Sequence, residues 1–78
     1  MAARTTFHSE DLEKIARTCA AVRADGRSRT ITVRAHSSFN VRWGTAYSYK
    51  ALRAVFGQLD GPGFGDDWRR ITVTFSRS

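Results

Sequence analysis

Thr30-Ile31-Thr32-Val33-Arg34-Ala35-His36, Ser37-Ser38 and Phe39-Asn40-Val41-Arg42-Trp43 form the stretch on which the fold turns. Ile31, Val33 and Ala35 alternate with Thr32, Arg34 and His36, the two-residue period of a half-buried strand. Ser37-Ser38 is a turn signal, and after it Phe39, Val41 and Trp43 alternate with Asn40 and Arg42. The two runs read as a β-hairpin with apolar side chains on one face and polar ones on the other.

Upstream, Leu12, Ile15, Cys19 and Val22 recur at three- and four-residue spacing with Ala16 beside them, a stripe that predicts a helix over 10–24. Ser9 is its expected N-cap. Glu10, Asp11 and Glu13 place negative charge in a first turn where the helix dipole favours it, and Asp25-Gly26 ends the helix. Downstream of the hairpin, Gly44 breaks the strand. Tyr47 and Leu52 then bracket Ser48 as a hydrophobic staple around an N-cap, and Leu52, Val55, Phe56 and Leu59 form the buried stripe of a short second helix. Asp60-Gly61-Pro62 stops it. A glycine-rich loop follows, and Ile71, Val73 and Phe75 alternate with Arg70, Thr72 and Thr74 in a third strand.

The predicted order is therefore α-β-β-α-β. We expect a single α+β domain over 1–78, a three-stranded antiparallel sheet with both helices on one face. The third strand should return beside the first and antiparallel to it, giving the order 2-1-3 and one face open to solvent.

A chain of 78 residues is close to the lower limit for a core that holds without disulfides or metals, with a net stability of roughly 3–5 kcal/mol. Two Trp, two Tyr and five Phe give apolar area that a disordered chain lacks. The lone cysteine, Cys19, has no internal partner, and no run is apolar enough for a signal peptide or a membrane span. The expected setting is the cytoplasm, with the chain a monomer.

The formal charge is +6, and all basic residues except Lys14 and Lys50 are arginine. From residue 26 to 59 there is no acid, while Arg27, Arg29, Arg34, Arg42, Lys50 and Arg53 fall within that span. A basic zone of this kind suits a negatively charged partner. With Arg70 from the third strand and Trp68 at the sheet's edge, these residues make up the expected partner-binding surface. Guanidinium forks would grip phosphate or carboxylate, Thr32, Asn40, Thr72 and Thr74 would add neutral hydrogen bonds, and Trp68 would stack.

Catalysis and cofactor binding find little support. Cys19 lies on the apolar helical stripe, where a thiol behaves as a small hydrophobe. His8 and His36 have no second ligand at a useful spacing, and Asp60, Asp66 and Asp67 do not follow a calcium-loop pattern. The glycine-rich loop lacks the Lys-Ser/Thr of a P-loop and precedes a strand instead of opening a helix. No enzyme activity, metal or cofactor is expected. There is also no helix-turn-helix, zinc-finger or RNA-recognition pattern to specify a nucleic-acid sequence.

Val41-Arg42-Trp43, a helix ending in Val55-Phe56-Gly57 and the Gly63-Phe64-Gly65-Asp66-Asp67 loop together resemble the large polyvalent protein-associated domains of phage and plasmid accessory proteins. Their pattern is V-R-W, helix, F-x-G, F-D-G. The resemblance spans 30–75 and departs at the loop, where Phe64-Gly65-Asp66 stands in place of Phe-Asp-Gly. By size and module the chain is also similar to the small anti-CRISPR inhibitors of mobile elements. That resemblance implies a non-enzymatic inhibitor whose basic surface docks on a subunit of a CRISPR effector complex, or on its guide RNA or DNA path, and blocks target DNA binding. The alternative is a small basic accessory protein that binds DNA or RNA directly.

Overall fold

The computed structural model describes residues 7–35 and 41–77. The elements are α1 (Ser9–Asp25), β1 (Arg29–Ala35), β2 (Ala46–Ser48), α2 (Tyr49–Val55), a 3-10 turn (Gly57–Leu59) and β3 (Ile71–Arg77). The α-β-β-α-β order and the α+β class are as expected, but the sheet is mixed, with strand order β1-β3-β2. β3 lies beside β1 as predicted, yet parallel to it, with Arg29 opposite Ile71 and Ala35 opposite Arg77. β2 runs antiparallel on the other side of β3, Ala46 facing Thr74 and Ser48 facing Thr72.

Two physical features account for this departure from an antiparallel hairpin sheet. The Ile71-Thr72-Val73-Thr74-Phe75 run is β-branched or aromatic on both faces, which suits a strand flanked on both sides. Gly44, at φ 76, turns the chain where its N–H meets Phe75 O, so the ladder with β3 starts only at Ala46 and Val41–Trp43 packs against the core without joining it. The expected hairpin turn and the first residues of its return strand, 36–40, lie outside the described residues. The long segment between β1 and β3 provides the crossover that parallel neighbours need.

Strand register keeps the predicted division of faces. Ile31, Val33, Ala35, Ile71, Val73, Phe75 and Tyr47 share one side, and the buried Ile15, Cys19 and Val22 of α1 and Tyr49 and Leu52 of α2 belong to the same core. Phe7, which precedes α1, closes that core edge-on to Phe56 with ring centroids 5.2 Å apart. Thr30, Thr32, Arg34, Thr72, Thr74, Ser76, Ala46 and Ser48 share the other side.

Local signals fared well at helix ends. Gly26 takes the left-handed conformation and donates to Val22 O at 2.7 Å, and Ser48 Oγ accepts from Ala51 N at 3.2 Å. Ser9 is the first helical residue of α1, with His8 at the cap position. α2 ends at Val55, four residues short of the expected Leu59, because Phe56 turns extended (φ −111, ψ 99), and Val55 is 72% exposed instead of on the buried stripe. Its place in the core is taken by Tyr49, whose hydroxyl donates to Leu59 O at 3.1 Å. Burial in the apolar core, followed by the nearby Cys19 thiol, holds the Tyr49 hydroxyl in its protonated form well above the usual tyrosine range.

A candidate anion-binding surface

The arginines divide into those that meet a carboxylate and those that do not. Arg29 forms a two-pronged pair with Asp25, Nη1 to Oδ1 at 2.8 Å and Nη2 to Oδ2 at 2.7 Å. The Arg29 side-chain bonds, with a further one from Arg27 N, hold the Asp25 carboxyl well below the ordinary carboxylate range. Arg53 is more heavily engaged. Its Nη1 reaches Asp66 Oδ1 at 2.8 Å and Gly65 O at 3.1 Å, and its Nη2 reaches Asp60 Oδ1 at 2.9 Å. Those two carboxylates, Asp66 first, raise its already high pKa. Arg23 Nη1 lies 3.5 Å from Asp67 Oδ2, and Arg17 pairs with Glu13 across one helical turn.

These contacts define the 60–67 loop as a clamp around guanidinium groups. It turns carboxylates and a carbonyl inward, the reverse of the N–H groups that a phosphate cradle presents. A Cβ at Gly65 would fall 2.6 Å from Arg23 Nη1 and 2.7 Å from Asp67 Oδ2, so the glycine makes room for that ion pair. Phe64 packs against the core beside it.

The remaining cations have no carboxylate partner among the described residues, and the fold sorts most of them into two groups. At the start of β1 and β3, Arg29 N donates to Arg70 O at 2.7 Å and Arg70 Nη1 donates to Gly26 O at 2.6 Å, which joins the Arg27 turn to Arg69 and Arg70. Trp68 belongs to this group, with Arg69 Cζ 4.5 Å and Lys50 Nζ 4.8 Å from its ring centroid. At the far end of the same strands are Arg34, Arg77 and the Arg42-Trp43 turn. Arg77 Cζ lies 5.4 Å from the Trp43 ring, and Gly44 N donates to Phe75 O at 2.9 Å. The two ends are separated by the steps from Arg29–Ile71 to Ala35–Arg77, about 20 Å at strand rise.

Between them lies the outer sheet face of Thr30, Thr32, Thr72, Thr74 and Ser76, none of them acidic, with Glu10 and Asp11 of α1 lining a cavity beside Thr32, Arg34 and Ser76 at the β1 edge. Of the expected binding residues, Arg27, Arg34, Arg42, Lys50, Trp68 and Arg70 are available on the surface. Arg29 and Arg53 are held in internal ion pairs. His36 and Asn40 lie outside the described residues. Arg69 and Arg77 join the surface although the sequence reading passed over them; the signal was their adjacency to Trp68 and to the end of β3.

The free edge of β1 carries its own guard, since Lys14 Nζ donates to Thr32 O at 2.8 Å. Among the described residues no group of His, Cys, Asp and Glu could hold a metal ion, and Cys19 is buried. Among the described residues no helix is long and apolar enough to cross a membrane. No protein-family model, curated protein or solved structure matches the chain.

Proposed function

We propose that this chain is a non-catalytic binding domain that engages a nucleic-acid-bearing partner through the cations its own fold leaves unneutralised. The observation that carries this reading is the pair of basic, tryptophan-containing clusters at opposite ends of β1 and β3, with a sheet face of threonine hydroxyls between those ends. Guanidinium groups without internal carboxylates remain free to meet phosphate, and threonine hydroxyls supply neutral hydrogen bonds between them.

Following the resemblance to anti-CRISPR inhibitors, the partner we propose is a CRISPR effector nucleoprotein in a bacterial cytoplasm. The domain, as a monomer, would lie on the guide RNA or on the DNA path and block target DNA. Its basic character excludes mimicry of DNA charge, so the inhibitor would occupy the nucleic acid or the acidic residues beside it. Co-elution with an effector complex at fixed stoichiometry, together with loss of target-DNA binding, tests this. A complex that neither binds the chain nor loses target binding overturns it. Direct binding of DNA or RNA is the second reading, favoured by a half-exposed Trp68 flanked by cations. A mobility shift with bare nucleic acid at low salt tests it.

A further inference from the structure

Trp68 lies where the uncompensated cations of one cluster meet. Its indole is half-exposed, with one part against the core and Lys50 and Arg69 over the ring. Both cations sit on exposed residues, and neither has a carboxylate partner among the described residues, so a flat ligand can displace either from the indole. Beside the indole an open groove of about 340 Å³ is lined by Lys50, Arg53, Ala54, Asp60, Asp66 and Trp68. Ala54 leaves room in that groove for a planar ring.

The charges around the groove are asymmetric. On the loop side stand Asp60 and Asp66, both bound to Arg53, which disfavour a phosphate chain there. Arg69 meets the indole itself, and Arg70, next in the chain, is bonded to Gly26 O beside Arg27; none of the three has a carboxylate partner among the described residues. A nucleic-acid backbone is therefore steered along the arginine side while a base enters over the indole. A duplex keeps its base faces stacked internally, whereas an unpaired base has a face to offer.

We propose that Trp68 is a stacking platform for an unpaired nucleobase, with Lys50, Arg69 and Arg70 taking the adjoining phosphates, so that the nucleic acid this domain contacts is single-stranded. This rests on the reading of the basic surface as a nucleic-acid contact and specifies the strandedness of that contact.

The test uses the full chain carrying Trp43→Phe, so that Trp68 alone reports by fluorescence. It is titrated with oligothymidylate of about 12 nucleotides and with a duplex of the same length. The expected result is quenching of Trp68 by the single strand, and a loss of single-strand affinity of roughly 5- to 100-fold in Trp68→Ala. Duplex affinity should be unchanged in that variant. Trp68→Tyr, which keeps an aromatic face, should retain most of the single-strand affinity and guards against a folding defect in Trp68→Ala. Equal losses on both ligands, binding without quenching, or competition by polyglutamate as effective as that by oligothymidylate would each overturn stacking while leaving an anion-binding surface intact. Failure of both nucleic acids to bind at low salt would overturn the stacking proposal and the nucleic-acid reading of this surface together.

Discussion

Arg53 and Arg69 stand on either side of the same segment and are put to opposite uses. Arg53 is enclosed by the 60–67 loop, with Asp60, Asp66 and the Gly65 carbonyl around one guanidinium. Arg69 and Arg70, a few residues further on, have no carboxylate partner among the described residues and lie beside Trp68 and the Gly26 turn. The difference teaches that an arginine's role here depends on whether the fold delivers a carboxylate to it. Net charge counts both kinds alike; only the second kind remains for a partner.

The largest effect should come from reversing charge at both ends of the outer face. Arg34→Glu with Arg70→Glu is expected to weaken nucleic-acid binding by more than about 100-fold, since phosphate contacts are lost and repulsion is added. The urea midpoint should fall only slightly, because neither side chain is buried and the internal bond lost is the exposed one from Arg70 to Gly26 O.

Breaking the clamp should lower nucleic-acid affinity less and stability more. Arg53→Ala is expected to lower the urea midpoint modestly and to make the 60–67 loop more open to proteolysis, while uncovering two carboxylates beside the basic cluster. Adding Asp60→Asn and Asp66→Asn should restore nucleic-acid affinity but not the loop's protection. If affinity stays low in the triple variant, Arg53 itself contacts the ligand and the division drawn here fails.

Tyr49 fastens the start of the same loop through Leu59 O. Its folded-state pKa is raised, so its contribution is fully present below the ordinary tyrosine value of about 10 and is lost as pH rises above it. Tyr49→Phe should cost about 1 kcal/mol at neutral pH, because the carbonyl loses its donor, and should flatten the alkaline limb of the stability profile. Urea titrations across pH 9–12 check both, a range that brackets ionisation of a free tyrosine at about 10.

The smallest effect should come from Asp25→Asn. The folded-state pKa of Asp25 is lowered, so its contribution to stability is present above about pH 4, the ordinary aspartate range, and is lost as pH falls toward the depressed value. The pair is exposed and screened, so the substitution should leave stability at neutral pH nearly unchanged. It should also release Arg29 into the basic cluster and tighten nucleic-acid binding a few-fold, which converts a neutralised arginine into an available one.

Period-two and period-three-to-four patterns made the strand core and α1 legible, and Gly26 and Ser48 marked two helix ends through chemistry confined to a few residues. The adjacency of β1 and β3 was legible, but the parallel direction of that pair and the pairing of β2 with β3 were not, because they are set by long-range contacts. The hairpin reading missed Ala46–Ser48 because that strand is only 3 residues long. The site was legible in part for a related reason. Arg53 fell in the acid-free stretch, yet its carboxylates come from 7 and 13 residues downstream, beyond the end of that stretch. Asp25, one residue before the stretch begins, neutralises Arg29 in the same way. Trp68 could be singled out from the sequence as a stacking candidate, but its neighbour Lys50 comes from α2 and is brought there only by folding.

The central claim is that binding runs through the uncompensated cations, and the salt dependence of affinity measures it most directly. For a single-stranded oligonucleotide, log K against log salt should be linear, with a slope of about −0.7 for each phosphate neutralised. Lys50→Gln or Arg70→Gln should each make that slope shallower by roughly that amount, whereas Arg17→Gln, which removes a paired cation on the helical side, should leave it unchanged. A slope that responds equally to all three substitutions, or one near zero in the unsubstituted chain, would contradict the account.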